Sequence, residues 1–381
     1  MRGWRIGRIF GIDINVDLSW FLIAGLLVYS LGFLQFPREL SPFALRPRAD
    51  VLSVTLGIAT CLLLFSSVLA HELAHSWMAL EHKIPVKRIT LFIFGGVAQI
   101  ASEPDKPRGE FLVAIMGPLM SLALAAVFGA IWLWSRIIDS FGVSLTPITL
   151  VAGILAQANG SLALFNLAPG FPLDGGRVLR AILWGTTGNL RKATLWASRA
   201  GQFIAILLVL SSGVMYFTGL GMSGMWNVLI GLFLWNAATN GYRQTLMLDA
   251  LRRISVADVM ARDITTVAPE ISIAEFVDVH LLHRRNQTFP VSDGVTFIGT
   301  ISVDNIRRVP RAEWTSRRVR DAMQTIAPEH VLALSMTAVD ALTRLTLSER
   351  SELPVIQDDQ VIGFVGESEL SRYLKLKAPN E

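Results

Sequence analysis

Cysteine is nearly absent from this 381-residue sequence, in which Cys61 is the single thiol. One cysteine excludes an internal disulfide framework and a cysteine-rich metal site, so any bound metal must be held by histidine and carboxylate side chains. Six histidines are present for that role. Charged residues are scarce as well: they make up 17% of the chain, against roughly 25% in an ordinary soluble domain, while 52% of the residues are hydrophobic. This composition argues against a fully soluble protein.

The few charges are unevenly distributed. Residues 1–242 contain 28 of the 64 Asp, Glu, Lys and Arg side chains, whereas the shorter remainder contains 36. The basic excess lies in the first part, which has 17 Lys and Arg against 11 Asp and Glu. Positive charge beside apolar segments is typical of membrane orientation, whereas a nucleic-acid partner would require a basic soluble face. We therefore predict a membrane part in contact with the lipid bilayer, then a soluble part, and no direct contact with nucleic acid.

Five charge-free stretches are long enough to cross a bilayer, which takes about 20 mostly apolar residues. They are residues 18–37, 51–71, 111–135, 140–173 and 200–242. The last stretch has room for two helices on either side of a Gly-rich turn at 218–224, so we predict six transmembrane helices. Thirteen Lys and Arg lie in the segments on the side of the two termini, and four lie on the other side. The positive-inside rule then predicts a multi-pass protein of the cell membrane with both termini in the cytosol.

Residues 83–100 (KIPVKRITLFIFGGVAQI) lie between the second and third predicted spans. This segment is too short and too rich in β-forming residues and glycine to be a further span, and we interpret it as a re-entrant β-hairpin. Non-helical backbone at membrane depth is tolerated only against protein or a wet cavity, so such a hairpin would point to a functional cavity. The alternative is a surface loop with an apolar patch.

The second predicted span contains the sequence HELAH, with His71, Glu72 and His75. Histidines four residues apart lie on one face of a helix and can bind one metal ion together. Glu72 falls within the same arc, where a general base must stand to take a proton from the attacking water. No other charged side chain lies within residues 51–80, and intramembrane charge is costly unless it is paired or functional. The alternative is a buried polar cluster satisfied by hydrogen bonds.

A catalytic zinc usually takes three protein ligands and leaves one position for water, so a third ligand must come from elsewhere. Asp174 ends a 34-residue charge-free stretch, after the fourth predicted span. It belongs to the run NLAPGFPLDGG at 166–176, whose two prolines and three glycines interrupt the helix. Backbone groups without helical hydrogen bonds, together with a carboxylate at membrane depth, favour a functional site. The alternative is a turn with a helix-capping aspartate.

These two segments resemble the site-2 protease family of intramembrane zinc metalloproteases, which is defined by the motifs H-E-x-x-H and N-x-x-P-x-x-P-x-D-G. Both motifs are present in full. The resemblance extends to the order of the apolar segments, to the FGG sequence at 94–96 in the predicted hairpin, and to the MGP sequence at 116–118 in the third span. It implies the fold and the activity of that family.

The resemblance also implies roles for individual residues. The zinc ligands are His71, His75 and Asp174. Glu72 is the catalytic base, and Asn166 contacts the substrate or the developing oxyanion.

In the family, the edge of the hairpin is proposed to receive the unwound substrate strand. The substrate-binding residues that this implies are Phe94, Gly95 and Gly96, within an edge at residues 91–99. The physics agrees, because a helical substrate hides its scissile carbonyls until it becomes extended.

Beyond residue 242 the sequence contains an internal repeat. The tripeptide DVM at 258–260 recurs as DAM at 321–323, and Gly299 recurs 64 residues later as Gly363. Each copy reads as a short strand, a helix, two β-rich runs and a final helix, which is a mixed α/β unit. This part resembles a tandem pair of cystathionine-β-synthase-type (CBS) domains.

The chain is thus expected to be a polytopic α-helical membrane protein with six transmembrane helices and a re-entrant β-hairpin, followed by a soluble α/β tandem CBS module. The expected segments are a metalloprotease domain at 1–243, a linker at 244–254 and the CBS pair at 255–381, with copies at about 255–310 and 317–376.

CBS pairs commonly bind adenine nucleotides in the clefts between their copies. The family motif G-x-[IV]-[ST]-x-x-[DN] for ribose and phosphate is met in the first copy, where the implied nucleotide-binding residues are Gly299, Thr300, Ser302 and Asp304. The second copy has Gly366 where the hydroxyl should stand, so its cleft is expected to be degenerate. The alternative is a CBS pair that serves as a dimerisation and stability module and forms a homodimer.

The sequence therefore predicts an intramembrane zinc endopeptidase that acts in regulated intramembrane proteolysis and is modulated by ATP or another adenine nucleotide. By resemblance, its substrate is a single-pass membrane protein or a membrane-associated transcription regulator. One alternative is a CBS-regulated cation channel or transporter, although the other spans supply few polar residues for a pathway. A second is an inactive homologue that binds and retains membrane proteins without cleaving them, and the intact Glu72 argues against it.

Overall fold

The computed structural model describes the chain at residues 3–40, 46–93, 95–100, 104–218, 221–281, 288–294, 297–348, 350–358 and 360–377. The chain divides into two compact units, Met1–Arg243 and Gln244–Glu381. The first unit contains the long apolar helices, and the second contains the α/β repeat.

Helices that begin in the first unit account for the apolar stretches of the sequence. They are α1 (Leu18–Tyr29), α2 (Phe36–Leu40), α3 (Arg46–Glu81), α4 (Pro107–Ser140), α5 (Thr146–Asn166), α6 (Asp174–Thr187), α7 (Leu190–Phe217) and α8 (Gly221–Arg252). A π-helical segment, Ser30–Gln35, joins α1 to α2. Because α8 ends at Arg252, most of the segment expected to be a linker is helical.

Five helical segments of the described residues are long and apolar enough to cross a membrane. They are Leu18–Leu40, Asp50–Glu81, Pro107–Ser140, Thr146–Asn166 and Leu190–Phe217. Each of these segments overlaps one of the first five predicted spans. The sixth predicted span lies in α8, which is not among the five and contains Asn227, Asn236 and Asn240. Asparagine is unfavourable in hydrocarbon, so six spans remains a prediction.

Four strands form one sheet with the order β1-β2-β3-β4. They are β1 (Trp4–Ile9), β2 (Ile12–Val16), β3 (Val86–Phe92) and β4 (Gly95–Ile100). β2 and β3 run parallel, and the two outer pairs are antiparallel. β3 and β4 form a hairpin within residues 83–100, where the sequence predicts one. β4 is an outer strand of this sheet among the described residues.

The N-terminal hairpin of β1 and β2 is not among the elements predicted from the sequence. Its signal is the alternation in IDINV, since side chains on a strand point alternately to opposite faces. Ile12, Ile14 and Val16 are accordingly buried. The first two pack with Ala79 of α3 and Val113 of α4, so the sheet is fixed to both helices.

The second unit repeats one arrangement of elements. Its elements are α9 (Val256–Val259), α10 (Ile273–Phe276), β5 (Thr288–Ser292), β6 (Phe297–Ser302), α11 (Val303–Arg307), α12 (Val319–Ala322), α13 (Ala338–Ser348), β7 (Glu352–Gln357), β8 (Gln360–Gly366) and α14 (Glu367–Lys377). β5 with β6 and β7 with β8 are antiparallel hairpins. Each of the two apolar cores is built mainly from one copy and includes a helix of the other: Val256 and Val259 of α9 pack in the core of the second copy, and Val319 of α12 packs in the core of the first. The core of the second copy also includes Leu251 from the end of α8.

The two copies also exchange backbone contacts. Thr300 of β6 pairs with Gln324, which follows α12, and Phe364 of β8 pairs with Ala261, which follows α9. Corresponding positions in the two copies therefore make corresponding bridges. This pairing explains how two short repeats form one unit.

Candidate metal centre

Three side chains that are distant in sequence meet in the first unit. Oδ2 of Asp174 lies 3.2 Å from Nε2 of His71 and 3.2 Å from Nε2 of His75, and the two Nε2 atoms are 3.2 Å apart. Both imidazoles are buried, and the carboxylate is mostly buried. These residues form the one cluster of potential metal ligands found among the described residues.

The opposite ring nitrogens of the two histidines are held by α4. Nδ1 of His75 is 2.7 Å from the carbonyl oxygen of Val113, and Nδ1 of His71 is 2.8 Å from Oγ of Ser121. A carbonyl only accepts, so Nδ1 of His75 donates, and in the neutral ring Nε2 is then an acceptor. Two imidazole nitrogens and a carboxylate oxygen thus converge, and a cation between them would satisfy all three.

The donor set fits zinc. Tetrahedral zinc takes nitrogen and oxygen ligands at about 2.0–2.2 Å, which places neighbouring ligand atoms roughly 3.3–3.6 Å apart. The observed separations of 3.2 Å are close to that range. Two histidines and one carboxylate leave a fourth position for water, which is the arrangement of a catalytic rather than a structural site.

Glu72 lies beside the cluster without belonging to it. It projects from α3 towards β4, where a Cβ atom added at Gly96 would overlap its Cγ and lie 3.2 Å from its Oε1. The absence of a side chain at Gly96 therefore makes room for the carboxylate. Glu72, Gly95 and Gly96 line the same cavity as the cluster, whereas Phe94 lies outside the described residues.

Gly117 of α4 faces both imidazoles. A Cβ atom at this position would overlap Nε2 of His75 and lie 2.6 Å from Nε2 of His71. Val113, Gly117 and Ser121 follow one another at spacings of four residues, so they lie on one face of α4. That face orients both histidines and leaves space where their Nε2 atoms meet.

Asp174 is the first residue of α6, and Leu173 is the N-cap. The preceding loop, 167–173, docks on α7 through a hydrogen bond from the Phe171 backbone N–H to the carbonyl oxygen of Ala197, 3.1 Å long. Asn166 ends α5, and its Nδ2 is 3.4 Å from Nε2 of His71. The proline-rich and glycine-rich run thus brings its two polar side chains, Asn166 and Asp174, to the cluster.

The cluster opens into a cavity of about 790 Å³. Its polar lining includes Glu72, Asn166 and Arg177, and β4 forms part of its wall. Much of the remaining lining is apolar and comes from α8, through Trp226, Leu229, Ile230, Phe233 and Leu234. The sequence did not predict that α8 lines the site, because the apolar residues of this helix lie on all of its sides and carry no signal for which face meets a cavity.

The sequence also missed Ser121, the Val113 carbonyl and Arg177. Ser121 carries a weak signal, since it is a polar residue in an apolar span. The Val113 carbonyl carries none, because every residue has one. Arg177 follows Asp174 by three residues and could have been recognised as a charge on the same helix.

The second unit contains a polar cavity of about 310 Å³. Of the residues that the CBS resemblance implies for nucleotide binding, Thr300, Ser302 and Asp304 line this cavity, whereas Gly299 is not among its lining residues. The charged side chains contributed to its lining are Asp304, Arg308, Arg350 and Glu352. Hydroxyl groups and guanidinium groups in one cleft suit a ligand that carries ribose and phosphate.

In the second copy, the position that corresponds to the first copy's motif is acidic. The Gly366 backbone N–H donates to Oε2 of Glu369 at 3.1 Å, and Ser368 Oγ donates to the same oxygen at 2.8 Å. In the first copy the corresponding Ser302 N–H donates to Oδ1 of Asn305 at 2.9 Å, so the second copy has a charged carboxylate where the first has a neutral amide.

Comparison with known proteins places the chain in a family. Peptidase family M50 matches at residues 59–147 and 142–210, and the CBS domain matches at residues 256–312. Two relatives carry the name "Putative zinc metalloprotease". The one from Synechocystis is 32% identical over 379 residues, which are 98% of this chain and 96% of the relative. The other, Rip3 of Mycobacterium tuberculosis, is 32% identical over 378 residues, which are 97% of this chain and 92% of the relative.

A solved site-2 protease from Methanocaldococcus jannaschii is 28% identical in sequence, with a TM-score of 0.40, and the match covers 63% of this chain and 95% of that one. Because this chain is 32% identical to the two metalloproteases over nearly its full length, it belongs to peptidase family M50, the site-2 proteases, and it carries a CBS domain. The resemblance noted in the sequence is confirmed at the level of the family.

Proposed function

We propose that this protein is an intramembrane zinc endopeptidase of the site-2 protease type, with His71, His75 and Asp174 as zinc ligands and Glu72 as the catalytic base. The observation that carries the proposal is the convergence of the three ligand atoms at 3.2 Å, with an unligated carboxylate in the same apolar cavity. The family membership supports zinc, because the relatives are named zinc metalloproteases.

A zinc ion held by these residues supplies Lewis acidity towards water and the scissile carbonyl. The Glu72 carboxylate accepts a proton from the attacking water and returns it to the leaving amine. Asn166 stands 3.4 Å from His71, so its Nδ2 is available to donate to the developing oxyanion. The apolar wall from α8 excludes bulk water and strengthens these polar interactions.

The proposed substrate is a single-pass membrane protein or a membrane-associated transcription regulator, cleaved in regulated intramembrane proteolysis. An unwound substrate segment would add to β4, which is an outer strand beside Glu72, with Gly95, where a Cβ atom would meet nothing within 4 Å, leaving room for its backbone, and with Gly96 bringing the strand against Glu72. In this proposal the hairpin of β3 and β4 is re-entrant, as predicted from the sequence, and Phe94 is a further substrate-binding residue.

The depth of the site supports release of a fragment to the cytosol. His75 and His71 lie six and ten residues before the end of α3 at Glu81, which at about 1.5 Å per residue is roughly 9 to 15 Å along the helix. We place that end of α3 on the cytosolic side, with α8 as the sixth span of a multi-pass protein and both termini in the cytosol.

The test is a cleavage assay with purified protein in detergent and a membrane-spanning substrate. Glu72→Gln should lower kcat by on the order of 10² to 10⁴-fold while the zinc content of the protein stays at the wild-type level. Glu81→Gln, at the exposed end of the same helix, is the matched control. Wild-type cleavage by Glu72→Gln would contradict the role of Glu72. A zinc-free wild type, or ion flux in liposomes without cleavage, would contradict the peptidase assignment.

We further propose that ATP or another adenine nucleotide binds the cavity in the second unit and modulates cleavage. The hydroxyl groups of Thr300 and Ser302 and the carboxylate of Asp304 suit a ribose, and Arg308 and Arg350 suit phosphate. In the full-length protein, ATP should raise the unfolding temperature by mass action, and Asp304→Asn should weaken this effect. Asp278→Asn is the control, because Asp278 is an exposed residue of the same copy that does not line the cavity. If neither ATP nor AMP shifts the transition, the pair is better explained as a dimerisation module.

A further inference from the structure

One face of α4 meets the elements that carry all three proposed ligands. Val113 and Ser121 hold the imidazoles of His75 and His71. One turn before Val113 on the same face is Glu110, which accepts hydrogen bonds from the guanidinium group of Arg180. Arg180 belongs to α6, whose first residue is Asp174. The helix that orients the two histidines is therefore tied to the helix that begins with the third ligand.

This ion pair is almost completely shielded from solvent. Glu110 is 1% exposed and Arg180 is 3% exposed. Two charges taken out of water lose much of their hydration, and apolar residues of similar size would often stabilise the fold as well. Stability alone is therefore a weak reason for placing an ion pair here, whereas a directional contact between two helices is something that apolar residues do not provide.

Arg180 makes a second contact that leads to the site. Its guanidinium carbon lies 5.1 Å from the centre of the Phe171 ring. Phe171 belongs to the loop 167–173, which connects Asn166 to Asp174. A cation over an aromatic ring is attracted to its face, so Arg180 holds the loop as well as α6. Both chain segments that lead to Asp174 are thus fixed by one side chain.

We propose that the Glu110–Arg180 ion pair is a positioning device for the metal ligand Asp174. It sets the rotation of α6 about its axis and its position along that axis relative to α4. These two quantities determine the 3.2 Å separations between Asp174 Oδ2 and the two imidazoles. Arg180 is a positioning residue, since it acts through Asp174 and Phe171. The inference rests on the proposed function, because it assumes that the cluster binds zinc.

The test compares Arg180→Met, Arg180→Lys and the double variant Glu110→Gln/Arg180→Met with the wild type. Zn²⁺ affinity is measured by competition with a chelator, ligand geometry by the absorption spectrum of the Co²⁺-loaded protein, and stability by thermal unfolding. We expect the double variant to unfold near the wild-type temperature, to bind Zn²⁺ roughly 10- to 100-fold more weakly, and to show a changed Co²⁺ spectrum. Its kcat should fall more than its KM changes. Arg180→Lys should recover part of the lost affinity.

Arg199→Met is the matched control, because Arg199 also lies over an aromatic ring, Trp196, but is exposed on α7. It should bind Zn²⁺ like the wild type. If the double variant keeps wild-type Zn²⁺ affinity and the wild-type Co²⁺ spectrum, the inference is overturned and the proposed function stands. If the wild type itself binds no Zn²⁺, the proposed function fails and the inference fails with it.

Discussion

At the scale of single residues, the candidate metal centre depends on a glycine, whose lack of a side chain leaves space for the two imidazoles. Gly117 lies where the Nε2 atoms of His71 and His75 meet, and any Cβ there would overlap an imidazole. α4 therefore approaches the histidines closely enough for Val113 and Ser121 to bind their Nδ1 atoms. A larger residue would push the helix and the rings apart.

Gly117→Ala should accordingly reduce Zn²⁺ affinity by roughly 100-fold, since it displaces the ligands and their hydrogen-bonding partners together. Cleavage should fall in parallel. Gly129→Ala is the control on the same helix, because a Cβ at Gly129 has no neighbour within 4 Å. Chelator competition on both variants measures the effect, and equal affinities would argue against close packing at Gly117.

A second residue-scale prediction concerns Glu352 in the nucleotide cavity. Burial, together with the nearby charge of Glu369, raises the pKa of Glu352 above that of an ordinary glutamate. The folded unit then binds the proton more tightly than the unfolded chain does, so this contribution to stability is present at low pH and is lost as the pH rises through the raised pKa. Glu352→Gln should remove this loss and increase stability at neutral pH.

Thermal unfolding of the full-length protein between roughly pH 4 and pH 7 measures this effect. Glu367→Gln, an exposed glutamate at the start of α14, is the control and should leave the pH profile unchanged. A Glu352→Gln variant with the wild-type pH profile would show that burial of this carboxylate has no cost.

At the scale of elements, the loop that carries Asp174 depends on its contact with α7. Gly201 packs directly against the Phe171 backbone, where a Cβ would overlap the carbonyl oxygen. Phe171 also donates its N–H to Ala197, one turn earlier on α7. The loop 167–173 is therefore seated on a small-residue surface of α7.

Gly201→Ala should overpack this contact, destabilise the first unit by about 1–3 kcal/mol and lower Zn²⁺ affinity because Asp174 moves with the loop. Gly213→Ala on the same helix is the control, since a Cβ at Gly213 meets nothing within 4 Å. Unfolding and metal analysis are measured on both variants. A stable Gly201→Ala variant with full Zn²⁺ affinity would contradict the docking role of α7.

At the scale of the whole molecule, the proposed zinc site is a small part of a large helical structure. The helices α3, α4 and α5 and the sheet have apolar contacts that do not involve the ligands. Removal of zinc with a chelator should therefore abolish cleavage but leave the helical circular dichroism signal unchanged. Added Zn²⁺ should restore cleavage and Mg²⁺ should not, because the site offers imidazole nitrogen. Loss of helical signal on chelation would instead indicate a structural metal.

The elements that could be predicted from the sequence are those with a strong local pattern. The charge-free stretches predicted five helices that the structure contains, and the β-forming run after Glu81 predicted the hairpin of β3 and β4. The N-terminal hairpin was missed because IDINV is short and is stabilised by parallel pairing with β3, about 75 residues away. The sixth span remains a prediction, since three asparagines make the continuous helix α8 less apolar than the five candidate spans.

The sequence by itself determined the chemical nature of the site, because two histidines four residues apart share a face of any helix and a charge in an apolar run must have a partner. It also predicted Asp174 as the third ligand beside the two histidines. Only the tertiary structure decided that Val113, Ser121 and Gly117 shape the site, and that α8 lines its cavity. The contacts of Val113 and Ser121 with the histidines join residues 38 and 50 positions apart, and they follow from how helices pack rather than from the local pattern of either helix.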